Sequence, residues 1–210
     1  LRKPAAYIGM SLLMIFQGVI GWYMVKSGLV DNPHVSHFRL ALHLILAVFL
    51  YSMILWEIFY HHCQEQSDAP RNFAFVTLIL LYIQIFLGAL VAGLDAGMIY
   101  NEFPMMGEKF APTEFELSWN ILNDPASIQF LHRNMAYIVL ASVFALVYKL
   151  YQSNKPLAYI LLAAISAQFL LGIFTLLYIV PIKLALAHQL FAVLLISIIL
   201  YIIFQTRRRS

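Results

Sequence analysis

Residues 129–150 read QFLHRNMAYIVLASVFALVYKL, an apolar run that carries formal charge only near its ends, at Arg133 and Lys149. A helix of about 20 apolar residues is long enough to cross the roughly 30 Å hydrocarbon core of a bilayer. Five other runs meet the same test. The chain is therefore predicted to have six membrane-spanning helices, over residues 5–25, 38–60, 73–92, 129–150, 157–180 and 184–204.

The composition supports lipid as the solvent for much of the chain. Apolar residues make up 62% of its 210 residues and charged residues only 11%, whereas a soluble domain carries about 25% charged residues. The net charge of +3 does not indicate a nucleic-acid partner in so apolar a chain. The single cysteine, Cys63, cannot form an internal disulfide or, alone, a cysteine-based metal site. We therefore predict an all-α integral membrane protein whose surroundings are membrane lipid.

The distribution of basic residues predicts the orientation of the spans. Lys and Arg accumulate on the cytoplasmic side of a membrane, or on the matrix side in a mitochondrion. The loops on the other side of the membrane hold most of the acidic residues. Both termini are therefore expected inside, and residues 93–128 on the side called outer below, in a bacterial inner membrane or a mitochondrial inner membrane. The basic residues that define the inner side are Arg2, Lys3, Arg71, Lys149, Lys155, Arg207, Arg208 and Arg209.

Two patterns alternate along the spans. The first, third and fifth spans each carry Gln followed four residues later by Gly: Gln17 and Gly21, Gln84 and Gly88, Gln168 and Gly172. The second, fourth and sixth carry His followed four residues later by Ala: His43 and Ala47, His132 and Ala136, His188 and Ala192. Residues four apart share a helix face, where a small residue allows close approach and Gln can bond across the gap. The chain thus contains three pseudosymmetric two-helix repeats.

This repeat predicts the domain organisation. Residues 67–210 are expected to form one complete four-helix bundle that includes the outer loop 93–128. Residues 1–66 are expected to form half of a second bundle. By symmetry, a further two-helix unit before Leu1 would complete that second bundle. Bundles of this kind commonly hold cofactors between facing helices.

The three repeated histidines, His43, His132 and His188, enter the membrane from the outer side at similar depth. Ionisable residues inside a span usually mark a functional site, although neutral imidazoles can also simply bond neighbouring helices together. Zinc or copper would require further His, Cys or carboxylate ligands nearby, and the spans show no such cluster. Two imidazoles on facing helices can instead occupy both axial positions of a haem iron. We therefore interpret all three histidines as candidate metal ligands, through haem.

Two arginines lie near these histidines. Arg39 is four residues before His43, and Arg133 directly follows His132. The guanidinium fork suits carboxylates, so both are candidate contacts for haem propionates. The alternative is that both arginines anchor helix ends at the membrane interface.

Several segments resemble haem A synthase of the proteobacterial and mitochondrial type, over nearly the whole chain. The most specific are GALVAGLDAGMIYNEFPMMGEKFAP at residues 88–112 and FLHRNMAY at residues 130–137; QGVIGWYMVKSGL at 17–29, FRLALHL at 38–44 and LAHQ at 186–189 also match. The resemblance implies eight transmembrane helices in two pseudosymmetric halves, of which this chain is similar to helices three to eight. It also implies that His132 and His188 are the axial ligands of a haem b.

The same resemblance implies that residues 1–66 belong to the bundle that binds the substrate, haem O, with His43 as one ligand of its iron. The catalytic residues are unknown within this chain, because the expected Glu and a second His lie before Leu1. The implied reaction oxidises a methyl group of haem O to a formyl group and gives haem A for cytochrome oxidase assembly. The chain alone is expected to be inactive.

The implied partners are haem O and haem O synthase, with an electron acceptor that the sequence does not identify; a homo-oligomer is a further expectation. An alternative is a b-type cytochrome for membrane electron transfer without substrate chemistry. It needs only His132 and His188 and leaves His43 unexplained. A transporter is disfavoured because the prolines lie at span ends or in loops. The outer motif has no role that the sequence reveals; it comprises Asp95, Tyr100, Asn101, Phe103 and Pro104.

Overall fold

A computed structural model describes residues 4–26, 35–62, 70–113, 115, 118 and 120–205 of the chain. These residues form six long helices and one short 3₁₀ helix, Ala96–Met98. The long helices are α1 (Pro4–Lys26), α2 (His37–His62), α3 (Arg71–Gly93), α4 (Pro125–Ser153), α5 (Lys155–Leu177) and α6 (Ile182–Gln205). Each is long and apolar enough to cross a membrane, which confirms the six predicted spans. Some residues used above lie outside the described residues: Arg2, Lys3, Cys63 and the arginines from Arg207 to Arg209.

Side-chain caps fix the beginnings of α4 and α5. Asp124 accepts a hydrogen bond from the Ser127 amide at 2.7 Å, and Asn154 accepts one from the Leu157 amide at 3.1 Å. Each cap satisfies an amide that has no partner inside its helix. A proline stands in the first turn of both helices, where its missing N–H costs nothing. The two helix starts are therefore encoded locally.

The fifth span ends earlier than predicted. Helix α5 ends at Leu177 rather than Val180, because Ile179 and Val180 adopt φ angles of 59° and 52°. Val180 precedes Pro181, and a residue before proline is disfavoured in the helical conformation. The resulting turn packs on the residues that follow α3, where an ideal Cβ atom on Gly97 would lie only 2.8 Å from Val180 Cγ2. The absence of a side chain at Gly97 therefore permits this contact.

Four of the helices form a ring. Helix α3 packs on α4, α4 on α5, α5 on α6, and α6 closes on α3. Helices α4 and α6 therefore lie diagonally opposite one another. Helix α2 packs outside the ring against α3 and α6, and α1 packs chiefly against α2. Any group that contacts both α4 and α6 must consequently lie near the centre of the ring.

Buried side chains form two clusters. The larger lies in the inner half of the ring, and the smaller, at its outer end, joins Ala41, Ala89, Leu90, Ala96 and Ile128. The inner core includes Val143, Leu146 and Leu150 of α4, and most of α6 from Leu195 to Phe204. At the level of the histidines every residue retains some accessible surface: residues 82–88 of α3, 130–138 of α4, 166–177 of α5 and 182–194 of α6. We call this the outer layer of the ring. This partial exposure distinguishes the outer layer from the closely packed inner core.

Candidate functional site

Each repeated histidine lies against the Gln and Gly of the preceding helix. An ideal Cβ atom on Gly21, Gly88 or Gly172 would lie 2.9–3.0 Å from the Cε1 atom of His43, His132 or His188 respectively. The bare glycine backbone therefore forms the surface on which each imidazole rests. The two patterns seen in the sequence thus belong to one contact, repeated three times between neighbouring helices.

The glutamines hold the histidines through hydrogen bonds. Gln17 Nε2 donates to the main-chain oxygen of His43 at 2.8 Å, and Gln84 Nε2 donates to that of His132 at 3.1 Å. In the third repeat, His188 Nδ1 donates to the main-chain oxygen of Gln168 at 3.2 Å, and Gln168 Nε2 lies 3.4 Å from His188 Nε2. Donation from Nδ1 leaves on Nε2 the lone pair through which an imidazole binds a metal.

Several polar atoms beside these rings are buried and have no hydrogen-bond partner among the described residues. They are the Oε1 atoms of Gln17, Gln84 and Gln168, together with Nδ1 of His43. A buried acceptor that stays unsatisfied costs about 1–3 kcal/mol. The same orphan atom at three equivalent positions indicates a site whose bonding is incomplete without a further group or a change in the imidazole.

His132 and His188 lie on the diagonal helices α4 and α6 of the ring. Both lie in the outer layer. Val139 and Leu195, each seven residues further along its helix, are 3% and 0% exposed and form the floor of this layer. The arrangement places the two histidines on diagonal helices of the ring, above an apolar floor.

This donor set fits a haem. Within the described residues, no cluster of three or more His, Cys, Asp or Glu side chains could hold a bare metal ion. A haem iron already has four ring nitrogens and needs only axial ligands, which two opposed imidazoles can supply. Ala136 and Ala192 stand one turn from the histidines and add little bulk in the outer layer. The site therefore matches a flat macrocycle better than a compact ion.

The outer motif closes the mouth of the ring. We call residues 94–112 the outer segment. Asn101 Nδ2 donates to the main-chain oxygens of Gly97, at 2.9 Å, and Leu176, at 3.0 Å. Gln129 Nε2 donates to the main-chain oxygen of Tyr100 at 2.9 Å. The segment is thus attached to α4, which carries His132, and to the end of α5, which carries Gln168.

Aromatic side chains pack between the outer segment and the candidate site. The ring of Phe103 lies 6.4 Å from Tyr137 and 6.2 Å from Phe169, centroid to centroid, and Tyr137 lies 5.9 Å from Phe169. Phe169 follows Gln168 directly, and Tyr137 is five residues after His132. The outer segment therefore covers the outer layer with an aromatic cluster, a role that the motif itself did not reveal.

The structure places the two arginines differently. The terminal nitrogens of Arg133 donate to three main-chain oxygens of the outer segment, those of Tyr100 at 2.6 Å, Glu102 at 2.9 Å and Met105 at 3.1 Å. The guanidinium of Arg39 lies over the ring of Tyr23, 5.1 Å from its centroid. Arg133 therefore fastens the outer segment to α4, and Arg39 ties α2 to α1.

The three bonds of Arg133 predict that this residue stabilises the outer segment. Replacement of Arg133 with Met keeps the apolar stem but removes all three bonds, so we expect the free energy of unfolding to fall by at least about 2 kcal/mol, since even one bond from a charged donor contributes about 1.5–3 kcal/mol. Thermal unfolding in detergent measures the loss of stability. Limited proteolysis measures the release of the outer segment, and we expect faster cleavage inside residues 94–112. Arg71→Met, at an exposed position that begins α3, is the control. Equal cleavage of the two variants would contradict this role.

The sequence pattern did not select Gln129, and it named Phe103 only as part of a motif without a role. Both act on main-chain or ring partners more than 25 residues away in the chain. The only local signal was the unusual outer motif, which carries Phe103. Gln129 lies at the beginning of α4 and resembles an ordinary interfacial polar residue.

Comparison with known proteins identifies the family of the chain. A family model described as cytochrome oxidase assembly protein, COX15-CtaA, matches residues 2–200. The chain is 47% identical to a protein named heme A synthase from Rickettsia felis and 46% identical to one from Rickettsia rickettsii; each alignment covers 97% of this chain and 64% of the relative. A heme A synthase from Rickettsia bellii is 44% identical over 95% of this chain. The chain spans about 64% of the length of these relatives and belongs to the COX15-CtaA family of cytochrome oxidase assembly proteins.

Proposed function

We propose that this chain provides the larger part of a haem A synthase, an oxidoreductase that converts a methyl group of haem O to the formyl group of haem A. The observation that carries the proposal is the threefold repetition of one contact, in which Gln and Gly hold a His. Two of these histidines lie on diagonal helices of the ring, and the third, His43, stands at the equivalent place on α2. The same contact of Gln and Gly with His thus serves both the site in the ring and the site on α2.

In this proposal, His132 and His188 hold a haem b in the outer layer of the ring formed by residues 67–210. Haem bound there supplies one-electron transfer. The imidazoles fix its position from diagonal helices, and Val139 and Leu195 support it from the inner side. The outer segment and its aromatic cluster exclude water from the outer side, which strengthens electrostatic interactions inside the site.

His43 is then the ligand that residues 1–66 contribute to the iron of the substrate, haem O. Arg39, one turn nearer the outer surface on the same helix, is the proposed contact for a propionate of that haem. Arg133 is the corresponding proposal for haem b. Its terminal nitrogens bind the outer segment, but its Nε is buried and has no partner among the described residues, so one donor is still available.

The proposed setting is the inner membrane of a bacterium or of a mitochondrion, with both termini on the cytoplasmic or matrix side. Oxidation of the methyl group with oxygen from water releases electrons and protons, so an electron acceptor must complete the reaction. Haem O synthase is the proposed source of the substrate. A homo-oligomer is also proposed, and its test is the molecular mass in detergent.

Binding of haem O separates this function from that of a plain b-type cytochrome. Purified protein should show a spectral change when haem O is added, beyond the signal of its resident haem b. Replacement of His43 with Ala should weaken that change by more than about tenfold, because loss of even a second-shell partner of a ligand costs 10- to 100-fold in metal affinity. The haem b signal should stay unchanged.

The matched control is His62→Ala, which removes an exposed imidazole from the inner end of the same helix. If His43→Ala binds haem O as well as the unmodified protein does, His43 is not the substrate ligand. The alternative of an electron-transfer cytochrome would then gain support.

A further inference from the structure

A groove lies between α1, α2 and α3, toward the inner ends of these helices. It encloses about 300 Å³, which is at the lower end of the range for small-molecule sites. We call it the inner groove, and its lining includes Ala6, Met10, Phe49, Trp56 and Phe75. Phe49 and Phe75 are 49% and 54% exposed. In the described part of the chain, the inner groove therefore opens on the lateral surface of the membrane helices, where a ligand can enter from the lipid.

Three polar side chains, Ser52, Glu57 and Tyr82, interrupt this apolar lining. Ser52 and Glu57 are each only 8% exposed, and such groups inside a membrane span usually mark a functional site. The hydroxyls of Ser52 and Tyr82 lie 2.7 Å apart, and both donate to the main-chain oxygen of Val48, at 2.8 Å and 3.3 Å respectively. Because that oxygen keeps the shorter bond from Ser52, the Tyr82 hydroxyl can turn its proton to an acceptor in the groove.

Glu57 connects the inner groove to the inner surface of the protein. Its Oε2 lies 3.9 Å from His61 Nε2, and the Tyr7 hydroxyl lies 3.3 Å from the same nitrogen. His61 is exposed in the last turn of α2, whereas Glu57 lines the groove. The carboxyl, the imidazole and the phenol thus form a row of titratable groups between the inner surface and the groove, along which protons can move.

The inner groove is separate from both proposed haem sites but close to one of them. Ser52 follows His43 by nine residues, or two and a half helical turns, and so lies on the opposite face of α2. On α3, Tyr82 bonds to Ser52 of α2, and Gln84, two residues later, donates to the main-chain oxygen of His132 on α4. A helix with its side chains is about 10–12 Å across. The thickness of α3 alone therefore separates the inner groove from the haem b proposed at His132.

We propose that the inner groove binds the electron acceptor, a lipid-soluble quinone. One quinone carbonyl accepts a hydrogen bond from Tyr82, and protons reach the quinone through His61 and Glu57. The redox role rests on the proposed function, in which conversion of a methyl to a formyl group with oxygen from water releases four electrons and four protons. Two quinones balance this reaction, because each takes up two electrons and two protons to form a quinol. A lipid acyl chain could fill the same groove, but it has no acceptor for the Tyr82 hydroxyl.

Quinone binding to the purified chain tests the site without turnover. The substitutions Trp22→Phe and Trp119→Phe leave Trp56, in the groove, as the remaining tryptophan. Decylbenzoquinone should quench its fluorescence saturably. Ala6→Phe fills the groove and should weaken binding by more than about tenfold, since overpacking costs about 1–3 kcal/mol. Ala5→Phe is the matched control, because it adds the same ring at the neighbouring, exposed position and should leave binding unchanged.

Two further variants test the polar groups. Tyr82→Phe should weaken quinone binding by about tenfold, the value of one hydrogen bond. Its control is Tyr51→Phe, which removes a hydroxyl that bonds to Ser197 at 2.8 Å instead of lining the groove. Glu57→Gln should retain quinone binding but slow the formation of quinol by chemically reduced protein by about 100-fold or more, because it removes a proton donor.

The outcomes distinguish this inference from the proposed function. A lack of saturable quenching, or equal binding by Ala6→Phe and Ala5→Phe, would overturn the quinone site even in a protein that binds haem O. If Ala6→Phe does not fold, equal binding by Tyr82→Phe and Tyr51→Phe overturns it instead. An unchanged rate of quinol formation in Glu57→Gln would overturn the proton route. Saturable binding that Ala6→Phe abolishes, in a protein that binds no haem O, would overturn the proposed function and support the quinone site.

Discussion

Replacement of either His132 or His188 with alanine is expected to abolish the proposed binding of haem b to the purified protein. Each variant loses one axial ligand from diagonal helices, and an iron held by a single imidazole in an open layer is bound weakly. Affinity should fall by more than about 100-fold, because loss of a second-shell partner alone costs 10- to 100-fold. The reduced spectrum of the unmodified protein in detergent should show a low-spin b-type haem that both variants lack.

His61→Ala is the control for this experiment. His61 lies at the inner end of α2, where it contacts Tyr7 and Glu57 rather than any part of the outer layer. It should retain the full haem signal. A haem spectrum that survives in His132→Ala or His188→Ala would show that the ligands lie elsewhere, and a folded protein without haem would favour the interpretation of the histidines as bonds between helices.

A side chain at Gly88 or Gly172 is expected to displace the imidazoles without removing them. Even the Cβ atom of alanine would lie 3.0 Å from His132 Cε1 at Gly88 and 2.9 Å from His188 Cε1 at Gly172. Valine at Gly172 adds two further carbons where the ring rests. Overpacking costs about 1–3 kcal/mol, which corresponds to roughly a 10- to 100-fold loss in haem affinity if the ring must move.

The comparison with Gly18 makes this prediction specific. Gly18 also lies inside a membrane helix, but an ideal Cβ atom there meets nothing within 4 Å. Gly18→Ala should leave haem content unchanged and stabilise α1 slightly, because alanine is the better helix former by about 1 kcal/mol. Haem content per protein, measured beside the helical content, distinguishes the two sites. Equal haem in Gly172→Val and Gly18→Ala would show that the imidazole does not depend on the glycine surface.

The sequence was sufficient for those features that depend on local patterns. Run length and hydropathy predicted six helices, because a bilayer imposes the same length on every span. The beginnings of α4 and α5 follow from Asp124 and Asn154, whose caps act over three residues. The four-residue spacing of Gln and Gly, and of His and Ala, placed each pair on one helix face. Local spacing therefore selected all three histidines before any contact was known.

Tertiary structure decided which faces meet. No local rule states that Gly88 supports His132, or that His132 and His188 stand on diagonal helices of one ring; both follow from the order in which α3 to α6 pack. The same holds for Arg133, whose bonds reach 28 to 33 residues back along the chain to the outer segment. The end of α5 also depended on a distant partner, since the turn at Val180 packs where Gly97 has no side chain. Hydropathy and helix period act within one helix, whereas these contacts exist only after separate helices have packed. The spans and the candidate ligands could therefore be predicted from the sequence, but the surroundings of those ligands follow from the packing of the helices.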